Sequence, residues 1–414
     1  MMRWKIYITL SVYIILLPSL AMSRTTDAMI LSTKIASGGM GQTNSVDTGI
    51  TIENGDLWIW GFRGSGQQGN GSNEPSSSAP ARVDYFVRNN INIVQATAGI
   101  YHIIALDEQG NVWGWGQNGY YHAGGGVCTE GHVKSPCLVL KDKNIVRVDA
   151  GEYVSYALSA DGDVYTWGHG PYGQLGNGLK VSKSAVYKIP RSDFNGEAVV
   201  LLGAAYEGGY AITQSGGVYA WGDDEDNAFG YERSSAHEYV LKPLLLTNLA
   251  VDGSEITYMC GGQPFTNYLS SSGDVYGMGG NFSLGIGQKT GKTAGPALIT
   301  TDIASMYCRY SGSIALTNDG TLLTWGFASS AFNIYGIIPT QREYYDVITK
   351  IDGGKEHFIY WTENGKAYGV GYGAGHKFSQ SSNNNVEFPG KELTFLLDEM
   401  KKTYGNNYIP GQGL

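Results

Sequence analysis

Gly168-His169-Gly170-Pro171-Tyr172-Gly173 and Gly64-Ser65-Gly66-Gln67-Gln68-Gly69 both have the spacing G-x-G-x-x-G, which in a dinucleotide-binding unit lets backbone approach a pyrophosphate. That chemistry needs a strand before the glycines and a helix N-terminus after them, so that free N–H groups meet the anion. Strand-like residues precede both runs ("DVYTW" and "DLWIW"), but neither opens onto a helical pattern, so both read as loops leaving a strand. Gly285 to Thr293 ("GIGQKTGKT") imitates a phosphate-cradling loop and fails on count, because G-x-x-x-x-G-K-T requires glycine where Ile286 stands. Cys128 and Cys137 flank "TEGHVKSP", with His122 and His132 nearby. Their spacing fits no standard zinc module, so a disulfide is the expectation. Cys260 and Cys308 fall near the end of the first strand in neighbouring units and read as buried free thiols, with a second disulfide as the alternative. Asp223-Asp224-Glu225-Asp226 is the densest run of acids; Ala228 occupies a position where a calcium loop needs an oxygen ligand, so the run reads as a solvated loop able to face a basic partner. There is no H-E-x-x-H and no G-x-S-x-G, and the seven histidines are scattered. The residues point to a protein without catalytic centre, metal or cofactor.

The elements that carry these residues repeat. Aligned on Trp-Gly, the stretch "DVYTWGHGPYGQLGNG" at Asp163 has counterparts at Asp56, Asn111, Gly217, Asp274, Thr321 and Lys366. The anchor glycines Gly61, Gly116, Gly168, Gly222, Gly279, Gly326 and Gly371 lie 55, 52, 54, 57, 47 and 45 residues apart. Before each anchor run two strand-like segments and a tight turn ("DEQG", "SADG", "TQSG", "SSSG", "TNDG", "TENG"); after it, a proline opens an outer strand, as at Pro80, Pro136, Pro243, Pro296, Pro339 and Pro389. Four short strands per unit and seven units predict an all-β, seven-bladed propeller. Trp60, Trp115, Trp167, Trp221 and Trp325 share one repeat position, which predicts packing between blades rather than ligand stacking.

"TAGIYHIIALDEQGNVWGWGQNG" (97–119) and "WGHGPYGQLGNG" (167–178) resemble the repeat of the regulator of chromosome condensation family, over about residues 33–390. The resemblance implies a seven-bladed propeller. The chain departs from that repeat where Met278 and Val370 replace tryptophan and where the second-strand histidine persists only at His102 and His357.

Residues 1–23 have the pattern of an export signal: Arg3 and Lys5, an apolar run from Ile6 to Leu20, then small residues around 21–23. The run is short for a membrane span, so the expectation is a secreted or periplasmic protein with no membrane insertion after cleavage. Losing Arg3 and Lys5 would take the formal charge from −9 to −11, which disfavours nucleic acid as a partner. The propeller is expected over 24–390, followed by a capping helix and tail over 391–414. In the tail, Leu393, Leu396, Leu397 and Met400 have helical spacing, although "LTFLL" also suits a last outer strand. The ring closes if Lys34–Gly38 either joins the final blade or completes the first.

Strands make the scaffold and the loops after Trp-Gly vary, so recognition falls to the loops. Tyr120, Tyr121, His122, Tyr172, Asp223, Asp224, Glu225, Asp226, Phe229 and Tyr231 are the candidate partner-binding residues, tyrosine giving large contact area at small entropic cost. The expectation is a monomeric, non-enzymatic binder of a protein partner, such as an adhesin, colonisation or host-interaction factor. Two other readings follow from resemblance. Secreted propellers that inhibit β-lactamases are similar but have shorter units, and the named family implies nucleotide exchange on a Ran-type GTPase.

Overall fold

The computed structural model describes residues 35–39 and 47–404, apart from segments of which 231–238, 328–334 and 372–385 are the longest. Each sequence repeat forms one four-stranded antiparallel sheet whose strands pair in chain order. Blade one holds β1 (Ile35–Gly39), β2 (Asp47–Glu53), β3 (Asp56–Gly61) and β4 (Ser77–Arg82); blade two holds β5 (Ile93–Ala98), β6 (His102–Asp107), β7 (Val112–Gln117) and β8 (His132–Leu140). Blade three holds β9 (Ile145–Ala150), β10 (Val154–Ser159), β11 (Val164–Gly168) and β12 (Lys183–Lys188); blade four holds β13 (Val199–Ala204), β14 (Gly208–Thr213), β15 (Val218–Asp223) and β16 (Tyr239–Leu245). Blade five holds β17 (Ile256–Gly261), β18 (Phe265–Ser270), β19 (Val275–Gly280) and β20 (Lys292–Thr300); blade six holds β21 (Ile303–Arg309), β22 (Gly312–Thr317), β23 (Leu322–Phe327) and β24 (Tyr335–Gln341). Blade seven holds β25 (Ile348–Gly353), β26 (His357–Thr362), β27 (Ala367–Gly371) and β28 (Val386–Glu392). The first strands touch one another around the ring, β25 meeting β1, so they surround the axis of a seven-bladed propeller.

The anchor dipeptide does two jobs. Trp60, Trp115, Trp167, Trp221 and Trp325 are fully buried between neighbouring sheets. The glycine after each, in blades one to six, has φ between 93° and 113°, a region that side chains disfavour. Opposite the tryptophan the second strand carries a small residue in blades one and four: a Cβ on Gly49 would lie 2.1 Å from Trp60 Cε2. Apolar side chains of one blade pack against the next, as Ile59 and Phe86 do against Trp113 and Trp115.

The prolines lie inside the outer strands rather than opening them. In blade one Ile59 pairs with Ala81 while Gly61 pairs with Ser77, so the outer strand bulges past Trp60 with Pro80 in the bulge. Pro136, Pro243, Pro296, Pro339 and Pro389 fall in the same irregularity of their own blades. A bulged residue has no ladder partner, so a missing N–H costs nothing there.

Blade one takes all four strands from the start of the described chain and blade seven all four from its end, so no strand is shared across the closure. The helical alternative for the tail is the one adopted: β28 ends at Glu392 and α1 (Thr394–Tyr404) follows. Leu393, Leu396, Leu397 and Met400 pack against Trp58 and Trp60 of blade one and Ile359, Trp361 and Ala367 of blade seven. The Tyr404 hydroxyl lies 2.7 Å from Asp56 Oδ2 and 3.0 Å from the Glu53 carbonyl, and accepts from Trp58 Nε1 at 3.3 Å.

Both cysteine pairs are disulfides. Cys128–Cys137 clips the long loop of blade two, as expected. Of the two readings for Cys260 and Cys308 the disulfide is the one adopted, joining β17 to β21 across the blade five–six boundary. First strands of adjacent blades run side by side at the axis, and their Cα atoms come within 5.6 Å, which is bonding range. Residues 1–23, with the expected export signal, lie outside the described residues. None of the described helices is long and apolar enough to cross a membrane.

Candidate functional site: the loop end of blades two to four

In an antiparallel meander the link from first to second strand and the link from third to fourth emerge at the same end. The loops after Trp-Gly therefore share their end with 99–101, 151–153 and 205–207, which leave the axis-lining first strands.

The loops after Trp-Gly are fastened to the next blade by its tryptophan. Trp115 Nε1 donates to the Gln67 carbonyl at 2.7 Å, Trp167 to the His122 carbonyl at 3.0 Å, and Trp221 to the Gln174 carbonyl at 2.9 Å. All three acceptors stand six residues past their own anchor glycine. The relay lapses at the far side of the ring: Met278 has no side-chain N–H, and Trp325 Nε1 lacks a hydrogen-bond partner among the described residues.

Held this way, the loops of blades two to four build a run of rings. Tyr120 meets Tyr153 at 5.4 Å and His169 at 4.5 Å between centroids. His169 meets Tyr172 at 5.5 Å, Tyr172 meets Tyr239 at 5.3 Å, and Lys180 Nζ sits 4.5 Å over the Tyr239 ring. Tyr120 and Tyr121 are 44% and 36% exposed.

Beside the rings lie Glu152, Glu207 and Asp223. Burial, followed by the charges of Glu152 and Asp223, pushes the Glu207 carboxyl up to about 9, and it is hydrogen-bonded to both neighbours. At neutral pH Glu207 is therefore the protonated member of three carboxyls. The excess negative charge reaches the tyrosines: the Glu207 carboxylate form, then burial, raises Tyr172, and burial, then Glu152, raises Tyr101 and Tyr153. An open cleft of about 300 Å³ adjoins the carboxyls, lined by Tyr206, Glu207, Asp223, Phe229 and Phe265 among others.

Below the rings are two buried imidazoles, His102 and His122, with centroids 4.6 Å apart. The Ser155 hydroxyl donates to the His122 carbonyl at 2.8 Å, so in its 2.9 Å contact with His102 Nε2 the imidazole is the donor. Burial holds His102 down at about 3, and burial, with His102 and His169 adding to it, holds His122 well below the ordinary histidine range.

Of the residues expected at the binding surface, Tyr120, Tyr121 and Tyr172 are at this end and accessible, and Asp223 and Asp226 are partly so. Three expectations need correction, because their side chains turn inward. His122 packs under the rings. Asp224 caps its own loop, accepting from the Phe229 N–H at 2.7 Å. Phe229 is core, against Tyr210. The run 223–226 is thus not a uniformly solvated loop: Asp226 adopts φ 54° and the chain doubles back. The Glu225 side chain and Tyr231 lie outside the described residues. Glu152, Tyr153, Tyr206 and Glu207 were not singled out from sequence; strand alternation alone places their links at the same end as the Trp-Gly loops. Among the described residues no group of three or more His, Cys, Asp and Glu side chains is placed to hold a metal ion.

A family model described as "RCC1-like domain" matches residues 20–332. The chain is 27% identical to the ultraviolet-B receptor UVR8 of Arabidopsis thaliana over 71% of its own length and 69% of that protein's. It is 29% identical to the mitochondrial RCC1 domain-containing protein RUG3 of the same plant, over 45% of this chain and 42% of that one. Against the human E3 ubiquitin-protein ligase HERC2 it is 28% identical over 66% of this chain but spans only 6% of the ligase. Among solved structures, yeast RCC1 (Prp20) bound to Kap60 superposes with a TM-score of 0.70 at 18% identity, covering 93% of this chain and 91% of that one. Human WBSCR16 does so with 0.66 at 23%, covering 80% and 88%. Seven repeats, five of them anchored on Trp-Gly, seven four-stranded sheets and a family match over most of the chain have one meaning: the protein belongs to the RCC1-like domain family.

Proposed function

We propose that the protein is an exported, non-enzymatic propeller that captures a protein partner on the loop end of blades two to four, serving adhesion, colonisation or another host interaction. One observation carries this reading: a continuous set of tyrosine and histidine rings lies beside three clustered carboxyls, of which Glu207, pushed up by burial and by its neighbours, keeps its proton. Rigid aromatic faces provide contact area at low entropic cost, and clustered carboxylates attract a basic surface. Lys180 over Tyr239 is the chain's own example of a cation on such a ring. Two disulfides and the signal-like residues 1–23 support an oxidising, extracytoplasmic location.

The test is capture from a host-surface extract by the immobilised protein, followed by binding of the captured protein once it has been purified. Replacing Tyr120, Tyr121 and Tyr172 together by alanine should weaken that binding by at least about tenfold, each buried aromatic contact contributing about 1 kcal/mol or more. Raising the salt concentration should weaken it further. Undiminished binding by the triple variant would place the partner elsewhere on the ring.

A further inference from the structure

His122 stands where Gln67 and Gln174 stand in the neighbouring blades, six residues past the anchor glycine. There the glutamine side chain fastens its own loop, Gln67 Oε1 accepting from the Ser65 N–H at 2.8 Å and Gln174 Oε1 from the Tyr172 N–H at 2.9 Å. The His122 ring makes no such bond. It is fully buried, and neither ring nitrogen has a hydrogen-bond partner among the described residues. Blade two instead ties its loop with Asn118, whose Oδ1 accepts from the Ala123 and Gly124 N–H groups at 3.1 and 2.8 Å. The loop's hold on blade three runs through the His122 carbonyl, the shared acceptor of Ser155 Oγ and Trp167 Nε1.

An imidazolium at this place would bring a charge and two N–H donors into a site that offers no acceptor. The groups facing the ring are His102 from β6, Tyr120 from its own loop, and Tyr153 and His169 from the two links of blade three. From β10 comes Ser155, whose proton is already committed to the His122 carbonyl. None of these is a carboxylate. Glu152, next to Tyr153, bears on Tyr101, Tyr153 and Glu207, whereas the charges that bear on His122 are the imidazoles of His102 and His169.

We propose that His122 is an acid-operated latch: protonation expels its side chain and frees the blade-two loop, residues 119–127, taking Tyr120 and Tyr121 off the binding face. The loss of a binding face rests on the function proposed above; release of the loop does not. The freed ring takes its proton in the ordinary histidine range near 6.5, so each pH unit below that multiplies the open population about tenfold.

Hydrogen exchange of the full-length protein, corrected for the intrinsic effect of pH, reads the opening directly. In a peptide covering 119–127, protection should be constant above about pH 6.5 and fall about a hundredfold by pH 4.5, while a peptide covering β22 in blade six keeps its protection. His122→Gln, which installs the residue of the sister blades, should keep the loop protected throughout; His122→Asn is a second uncharged variant should that one fail to fold. A flat profile in the wild type, an equal loss in β22, or an unchanged loss in the folded variants would each overturn the latch. Partner capture at pH 5 is scored separately: undiminished capture with the loop released would remove the binding face and leave the latch standing.

Discussion

Glu207 and His102 give the fold opposite dependences on pH. Folded, Glu207 keeps its proton to about pH 9, whereas an unfolded chain gives it up near 4.5. Between those values the folded state holds a proton that the unfolded state lacks, so this contribution is full below 4.5 and drains away as the pH rises toward 9. His102 is neutral in the fold down to about 3 but takes a proton near 6.5 when unfolded, so its contribution is full above 6.5 and is lost as the pH falls toward 3. Glu207→Gln replaces the protonated acid by a near-isostere that cannot ionise. Calorimetry should therefore show the alkaline decline in Tm between pH 6.5 and 8.5 flattened, with the variant about 2 °C above wild type at pH 8, a modest figure because the group is partly exposed, and the acid limb unchanged. Parallel curves for the two proteins would mean that Glu207 ionises normally. None of this was legible in the sequence. The acid run at 223–226 drew attention by its density, yet Asp224 turns inward and the carboxyls that meet Asp223 come from 152 and 207, on two other links. A local sequence shows composition, not which loops share an end of the ring.

At the scale of elements the sequence was far more telling, because the repeat prints each strand seven times. The turn tetrapeptides, the positive-φ glycine and the buried tryptophan all follow from residue type at one repeated position. The proline positions were recognised but misplaced within their strands, since a bulge is a property of two strands in register and only one of them carries the proline. Also invisible was the tie between each loop and the following tryptophan, because its acceptor is a backbone carbonyl that any residue supplies: Gln67, His122 and Gln174 serve equally. This tie can be weighed by comparison. Trp167→Phe removes an indole donor from the His122 carbonyl, while Trp325→Phe removes an N–H that has no hydrogen-bond partner among the described residues. Both variants lose similar packing volume, so urea unfolding should find Trp167→Phe less stable by about 1 kcal/mol, the usual net value of one such bond. Equal costs for the two would deny the tie any part in stability.

For the molecule as a whole, the weak point of a propeller is the seam where the last blade meets the first. The sequence left the seam open between two arrangements of the N-terminal strand and two readings of the tail, since neither strand sharing nor helix docking leaves a mark on the repeat itself. Here each end blade is complete, and side-chain packing bridges the seam: α1 and the residue before it place Leu393, Leu396, Leu397 and Met400 over Trp58 and Trp60 on one side and Ile359, Trp361 and Ala367 on the other. The blade five–six boundary has a covalent tie in Cys260–Cys308, and blades one to four have the tryptophan relay; at the seam it is the helix whose apolar side chains reach both blades. Leu396 and Met400 are fully buried, and replacing each by alanine should cost about 2–4 kcal/mol. Because those contacts join only blades one and seven, the double variant should not soften the ring evenly. Hydrogen exchange should quicken first in peptides covering 47–61 and 357–371, with blades three and four holding their protection until the ring unfolds altogether. Even acceleration through all seven blades would show instead that the ring opens as a single unit, with the helix as one more layer of core and not the clasp of its seam.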